Sequence, residues 1–300
     1  MKPTGLRLKD LALAEKINLG ELLEVTKPRL ILLVLWTVTV GFLLAAFGEF
    51  DSFLFAKTLA GAALSAGGAM ALNQYLERDV DGKMKRTENR PLPSERIRPE
   101  KVLIFGIVLA LAGLLVLTAG VNGLTGFLAA LTLGIYLFLY TPLKQKTPLC
   151  TLIGALPGAI PPILGWTAVR GEIGVEAWTL FFILFVWQIP HFLAISWALR
   201  EDYTRAGFQI LAVLDPAGKR VGREMVLYTV ALLPFTLFPT VIGMTGFLYF
   251  GGALLLGIWF LASSIQTARA LDERAKPLFR ESIVYLGALF LLMLLDKKVV

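Results

Sequence analysis

Cysteine and histidine are almost missing from this chain. One Cys (Cys150) and one His (His191) among 300 residues exclude a disulfide framework and any multi-Cys or multi-His metal centre. Charge is scarce as well: 17% of the residues are charged, against roughly 25% in an ordinary soluble domain, and mean hydropathy is +0.71. The deficit falls in blocks, which points to a membrane protein. A net charge of +7 invites a nucleic-acid partner, yet the basic residues lie in the gaps between apolar runs. A lipid bilayer accounts for them, and no nucleic acid is expected.

What is present in their place is a series of long apolar runs. A bilayer core about 30 Å thick takes roughly 20 residues of helix. Windows at 30–48, 54–76, 102–119, 122–140, 149–168, 177–198, 225–243, 247–268 and 282–295 fit, the last of them short. Unpaired backbone groups are not tolerated in lipid, so the runs are expected to be helices. The first 28 residues carry both signs of charge and no early apolar core, so no cleavable signal peptide is expected. The chain then divides into a cytoplasmic N-terminal segment (1–28) and a transmembrane domain (29–300). Alternating nine crossings from a cytoplasmic N-terminus places 25 of the 29 Lys and Arg on the cytoplasmic side, leaving Lys57, Arg170, Lys297 and Lys298 opposite. That asymmetry supports nine helices in an inner (cytoplasmic) membrane with the C-terminus on the far side. The connections at Gly120-Val121 and Thr245-Gly246 are very short, whereas 77–101 and 199–224 are long and rich in both signs of charge. Chemistry is expected on the cytoplasmic face, where those loops lie.

Three stretches carry residues that suit chemistry. At the end of the second run, Asn73, Glu77 and Asp81 are spaced i, i+4, i+8, so a continuing helix puts their oxygens on one face. Oxygen ligands on one face suit Mg²⁺, and Lys83, Lys85, Arg86 and Arg90 follow at once. Acids and bases together describe a site for a metal–diphosphate complex. A solvated helix end bearing orientation charges is the alternative. After the fourth run come Tyr136, Tyr140, Lys144 and Lys146, which taken alone read as interfacial anchors and orientation signals. The sixth run carries His191 inside apolar sequence, followed by Arg200-Glu201-Asp202-Tyr203 and Arg205. A histidine at depth suits heme iron, proton transfer or a hydrogen bond to a neighbouring helix. In the fifth run, Pro157, Pro161 and Pro162 predict a helix broken twice, as a cavity wall or as close packing.

At these residues the chain resembles the UbiA superfamily of intramembrane prenyltransferases, and within it the heme-farnesylating branch. The superfamily pattern Asn-x₃-Asp-x₃-Asp is matched by Asn73, Glu77 and Asp81, with Glu where Asp is usual. The string Asp79-Val-Asp81-Gly-Lys-Met-Lys85-Arg86-Thr-Glu-Asn-Arg90-Pro-Leu-Pro is similar to the heme-specific version of that motif. Tyr140-Thr-Pro-Leu-Lys144-Gln-Lys146-Thr, Thr151 to Trp166, Trp187-Gln-Ile-Pro-His191-Phe and Glu201-Asp202-Tyr203-x₃-Gly207 extend the likeness, in order, to the ninth helix. Phe208 to Ala212 lacks the prolines usual after that Gly.

The resemblance implies an all-α bundle of nine transmembrane helices around a central cavity. It implies Asn73, Glu77, Asp81, Glu201 and Asp202 as holders of Mg²⁺ and of the diphosphate of farnesyl diphosphate. Asp79, Lys85, Arg86, Arg90, Tyr140, Lys144, Lys146, His191 and Tyr203 complete the implied substrate site, and heme b is the implied acceptor. Heme A synthase or oxidase assembly factors are the implied receivers of the product. Two other readings differ at the acceptor or in class. A quinone-precursor prenyltransferase shares the metal site, and a transporter would need charges inside the spans, of which only Lys57, near an end, is available.

Overall fold

The computed structural model describes residues 19–298 apart from 47 and 49; most of the expected N-terminal segment lies outside the described residues. A short helix α1 (Leu19–Thr26) leads into α2 (Pro28–Ala45), α3 (Ser52–Asp81), α4 (Pro99–Gly120) and α5 (Gly123–Gly134). α5 runs through a π-helical turn, Ile135–Tyr140, into α6 (Thr141–Leu143). Then come α7 (Cys150–Ala159), α8 (Pro161–Arg170), α9 (Val175–Ala198), two short helices α10 (Arg200–Arg205) and α11 (Leu211–Leu214), α12 (Lys219–Val241), α13 (Phe247–Arg269) and α14 (Leu271–Leu295). With α5–α6 and α7–α8 each counted as one span, nine segments among the described residues are long and apolar enough to cross a bilayer. The chain is a multi-pass membrane protein.

Several helices outrun their apolar windows. α3 continues to Asp81, α12 starts at Lys219 rather than 225, and α14 starts at Leu271 rather than 282. Hydropathy marks only the part of a helix inside hydrocarbon, whereas backbone hydrogen bonding carries the helix on into water. The short ninth window is thus a helix of 25 residues. The fifth span is broken once, not twice: the interruption falls at Ile160, and Pro157 sits inside α7. Pro161 and Pro162 both lack the N–H that would continue the ladder there. Gln188 on α9 donates to the carbonyl of Ala155 (3.3 Å) close by.

Ends are capped by side chains the sequence supplies. Asp51 accepts from the N–H groups of Phe53 and Leu54 (2.9 and 2.8 Å), Asn122 from Thr125 (2.8 Å), and Asp215 from Arg220 and Val221 (2.7 and 3.0 Å). These satisfy donors that a helix start leaves open. At the opposite membrane face the chain end pins the bundle. Asp296 accepts from Tyr249 N–H (2.7 Å), and Lys297 donates to the last carbonyls of α2.

Lipid offers no hydrophobic drive between helices, so close approach rests on small residues. α2 meets α8 at Gly41 and Gly165; a Cβ on Gly165 would sit 2.0 Å from the carbonyl oxygen of Val38. Backbone cannot swing aside as a side-chain tip can. Gly165→Val is therefore expected to cost about 2 kcal/mol or more, seen as a lower thermal midpoint in detergent and a poorer yield of monodisperse protein. An unchanged midpoint would show that α2 and α8 separate freely.

The loop after α3 is structured. Met84, Leu92 and Ile97 are buried, the latter two against Val25 and Val102, while Lys83, Lys85, Arg86 and Asn89 between them face outward. Thr87 donates to the carbonyl of Asp81 (2.7 Å). Arg96 bonds both oxygens of Glu24 on α1 (3.0 Å each), a pairing that lifts its guanidinium above the usual arginine range. The loop is thereby folded down onto the end of α3.

Candidate active site

The carboxylates that matter are buried at the polar end of α3. Glu77 is 7% exposed and Asp81 2%, which for carboxylates demands partners. Each has one, and they come from different loops. Lys144 Nζ reaches both oxygens of Glu77 (2.8 and 3.1 Å), and Arg90 Nη1 reaches Asp81 (2.6 Å). Burial works against the charge on Lys144, but the Glu77 carboxylate outweighs it and holds the ammonium above its usual range. Asn73 joins from one turn earlier, donating through Nδ2 to Glu77 (3.0 Å) and to Thr141 Oγ (3.1 Å). The i, i+4, i+8 face expected from the spacing is therefore real, and Asn73 Oδ1 is left over as an acceptor.

Thr141 is in position because of the π-helical turn before it. Pro142 cannot donate to the preceding turn and crowds it, and one wider turn absorbs the misfit. Thr141 Oγ donates to the carbonyl of Tyr136 (2.8 Å). Tyr136 and Tyr140 stack obliquely at 5.6 Å, and Lys144 Nζ lies 4.5 Å from the centre of the Tyr140 ring.

The second acidic motif comes to the same place. Asp202 is 8% exposed; it accepts from the backbone N–H of Lys85 (3.2 Å) and is paired with Arg205. The Gln209 N–H donates to the carbonyl of Lys144 (2.8 Å), and Tyr203 packs on Phe208 (5.5 Å). Three connections, the first and last more than 100 residues apart in sequence, thus converge on one end of the bundle.

Not every expected residue turns inward. Asp79 lies two positions from both Glu77 and Asp81, on the other side of α3, with its side chain 86% exposed near Arg78. Glu201 stands beside buried Asp202 but is itself exposed, as are Lys146, Arg86 and Lys85, which meets Asp202 through its backbone only. Among the described residues no three His, Cys, Asp or Glu side chains are gathered as a ready metal cluster; the buried acids are held by cations instead. The donor set at the end of α3, two carboxylates and an amide oxygen, nevertheless suits a hard divalent cation such as Mg²⁺.

His191 lies further along α9, facing α14. Its Nδ1 is 2.7 Å from Ser282 Oγ. That hydroxyl also lies 2.7 Å from the carbonyl of Phe279, an arrangement in which it donates to the carbonyl and accepts from Nδ1–H. In that arrangement Nδ1 carries the proton and Nε2 the lone pair. The ring is flanked by Trp187 and Phe279, each with its centre 4.7 Å away, and Trp187 Nε1 is tied to the carbonyl of Ser282 (2.9 Å). His191, Tyr136, Tyr140 and Lys144 are each half-buried and keep some accessible surface. A separate apolar groove of about 330 Å³, lined by residues such as Trp178, Phe182, Phe235 and Phe238, lies toward the other end of α9. It has no titratable side chain and no part in this chemistry.

Reading the residues in sequence order missed Ser282 and gave Thr141, within the stretch after the fourth run, no role. Nothing local marks the two hydroxyls, which matter only through partners 68 and 91 positions away.

A family model described as the UbiA prenyltransferase family matches residues 34–293. A protoheme IX farnesyltransferase of Solibacter usitatus is 44% identical over 286 residues, covering 92% of this chain and 98% of the relative. The enzyme of that description from Marinobacter nauticus is 41% identical over 287 residues, covering 94% of each. Among solved structures, a UbiA homolog from Archaeoglobus fulgidus bound to DMAPP and Mg²⁺ superposes with a TM-score of 0.66 at 15% identity, over 91% of this chain and 99% of the other. A chain from a study of digeranylgeranylglyceryl phosphate synthase superposes with a TM-score of 0.78, also at 15% identity, over 93% and 98%. At such identity these structures speak to fold alone.

Proposed function

The chain belongs to the UbiA prenyltransferase family, and from that premise we propose that it transfers the farnesyl group of farnesyl diphosphate to a vinyl group of protoheme IX (heme b), making heme O. The extended likeness to protoheme IX farnesyltransferases favours heme over a quinone precursor as acceptor. The observation that carries the chemistry is the pair of buried carboxylates, Glu77 and Asp81, each held by a cation from a different loop.

That arrangement is what a metal–diphosphate site needs while it waits for substrate. Asn73, Glu77, Asp81 and Asp202 would hold Mg²⁺, while Glu201 remains at the rim. When bound, Mg²⁺ neutralises diphosphate oxygens and so eases departure of the leaving group. Lys144 and Arg90 are then released from the carboxylates and turn to the phosphate oxygens, with Arg86, Lys85 and Lys146 adding positive charge outside. The C1–O bond of farnesyl diphosphate breaks and its electron pair leaves with diphosphate, where these cations stabilise the developing charge. The allylic cation is attacked by the terminal vinyl carbon. Water adds at the resulting cationic carbon and loses a proton, completing the hydroxyethylfarnesyl product. Tyr136 and Tyr140 flank the site and limit premature access of water. His191 offers its Nε2 lone pair to the iron of heme b.

The polar end of the bundle is the cytoplasmic face of an inner membrane, with the N-terminus there and the C-terminus opposite; the distribution of Lys and Arg supports this orientation. The family resemblance implies heme A synthase or oxidase assembly factors as receivers of the product.

Membranes containing the protein, supplied with farnesyl diphosphate, heme b and Mg²⁺, are expected to form heme O, resolved by chromatography of extracted hemes. Chelation by EDTA should abolish the product and excess Mg²⁺ restore it. Prenylated 4-hydroxybenzoate in a parallel incubation, with no heme O, would move the enzyme to the quinone branch.

A further inference from the structure

Nothing in the local sequence ends α9 where it ends. No proline or glycine lies between Pro190 and Gly207, yet the helix stops at Ala198, Leu199 takes φ −117° and ψ 18°, and α10 begins at Arg200. Ala, Leu, Arg and Glu all favour helix, so a break among them has its cause elsewhere in the fold. The break matters because α10 carries Asp202 to the candidate site.

One residue of non-helical backbone is a swivel unless both sides of it are held. Asp272, the second residue of α14, holds both. Its Oδ1 accepts from Trp197 Nε1 before the break (3.1 Å) and from Arg200 Nη1 after it (2.5 Å). The Arg200 guanidinium also lies 4.4 Å from the centre of the Trp197 ring. Trp197 is a fixed anchor, buried and so close to the corner before α12 that a Cβ on Gly218 would lie 2.8 Å from its ring. Residues two apart point about 200° apart around a helix. Arg200, held on the outer side of α10, therefore turns Asp202 inward, to the Lys85 N–H and Arg205. Asp272 itself stays at the surface, its side chain 71% exposed.

We propose that Asp272 is a positioning residue: by holding Trp197 and Arg200 it fixes the direction in which α10 leaves α9, and so aims Asp202 at the metal. This rests on the reading of Asp202 as a holder of Mg²⁺, and it ties the site to the start of α14, outside both acidic motifs.

The test is heme O formation by the purified full chain in nanodiscs across a Mg²⁺ titration, alongside thermal unfolding. Asp272→Ala is expected to raise the Mg²⁺ concentration for half-maximal rate by about tenfold, the low end of the cost of disturbing residues that orient a metal ligand. The rate at saturating Mg²⁺ should largely return. Asp272→Asn keeps an oxygen for both donors and should recover most of the shift. Arg200→Gln should match Asp272→Ala, and the double variant should be no worse than either, because members of one network do not add. The thermal midpoint should barely move, since an exposed ion pair contributes little to stability. A merely structural clamp would give the opposite, a lower midpoint with an unchanged Mg²⁺ requirement. A Mg²⁺ requirement within twofold of wild type in Asp272→Ala would overturn the assignment and leave farnesyl transfer intact. A wild-type chain that forms no heme O with Mg²⁺ present would overturn the proposed function and this inference together.

Discussion

Asp81→Asn is expected to lower heme O formation by about 10³-fold while leaving the bundle folded. The amide has the shape of the carboxylate, so the 2% exposed site keeps its volume and loses only charge. Arg90, whose side chain is 20% exposed, turns toward water, so the cost in folding stays small. Activity pays in full. One anionic oxygen fewer weakens Mg²⁺ binding, and an Arg90 with no carboxylate binds diphosphate before the metal does. Removing one preorganised electrostatic contact costs about 10²–10³ in turnover, and disturbing its partner adds to that. Raised Mg²⁺ should recover part of the loss. Asp79→Asn, two residues away on the exposed face, serves as the control and should stay within about twofold, as surface changes usually do. Product would be measured by heme chromatography and folding by thermal midpoint in detergent. An Asp81→Asn enzyme within tenfold of wild type would remove this carboxylate from the metal site.

The contrast between Asp81 and Asp79 also shows what was legible in the sequence. Spacing placed Asn73, Glu77 and Asp81 on one face, and the 3.0 Å bond from Asn73 to Glu77 follows from helix geometry alone. The nine spans were equally legible, because a 30 Å apolar layer imposes its length on each. Composition could not tell which of many loop cations meet the carboxylates. Lys144 and Arg90 do, whereas Lys146 and Arg86, as close in sequence, face out. That choice depends on the widened turn before Pro142 and on the buried Met84, Leu92 and Ile97 beneath the loop. The first is local but changes which way Lys144 faces, and the second is settled by packing between segments distant in the chain.

His191→Ala is expected to reduce farnesylation of heme b by about 10²-fold while farnesyl diphosphate binding is unchanged. The magnitude follows from losing an iron ligand outright, since disturbing even the partner of a ligand costs about 10–100-fold. Ser282 supplies the sharper test. Its hydroxyl lies within reach of both Nδ1 and the carbonyl of Phe279; donating to the carbonyl and accepting from Nδ1–H leaves the lone pair on Nε2. Ser282→Ala removes the acceptor and frees the ring to change tautomer or turn, so a smaller loss of about 10-fold is expected, the low end of the range for partners of metal ligands. Metal-free protoporphyrin IX separates ligation from packing. If Nε2 binds iron, the His191→Ala defect shrinks toward wild type with the metal-free acceptor, and the absorption spectrum of bound ferric heme b shifts in the variant. If the ring only packs against the macrocycle between Trp187 and Phe279, the defect is equal with both acceptors and the spectrum stays put. An equal defect would reassign His191 from iron ligand to cavity wall, with the diphosphate chemistry at Glu77 and Asp81 untouched.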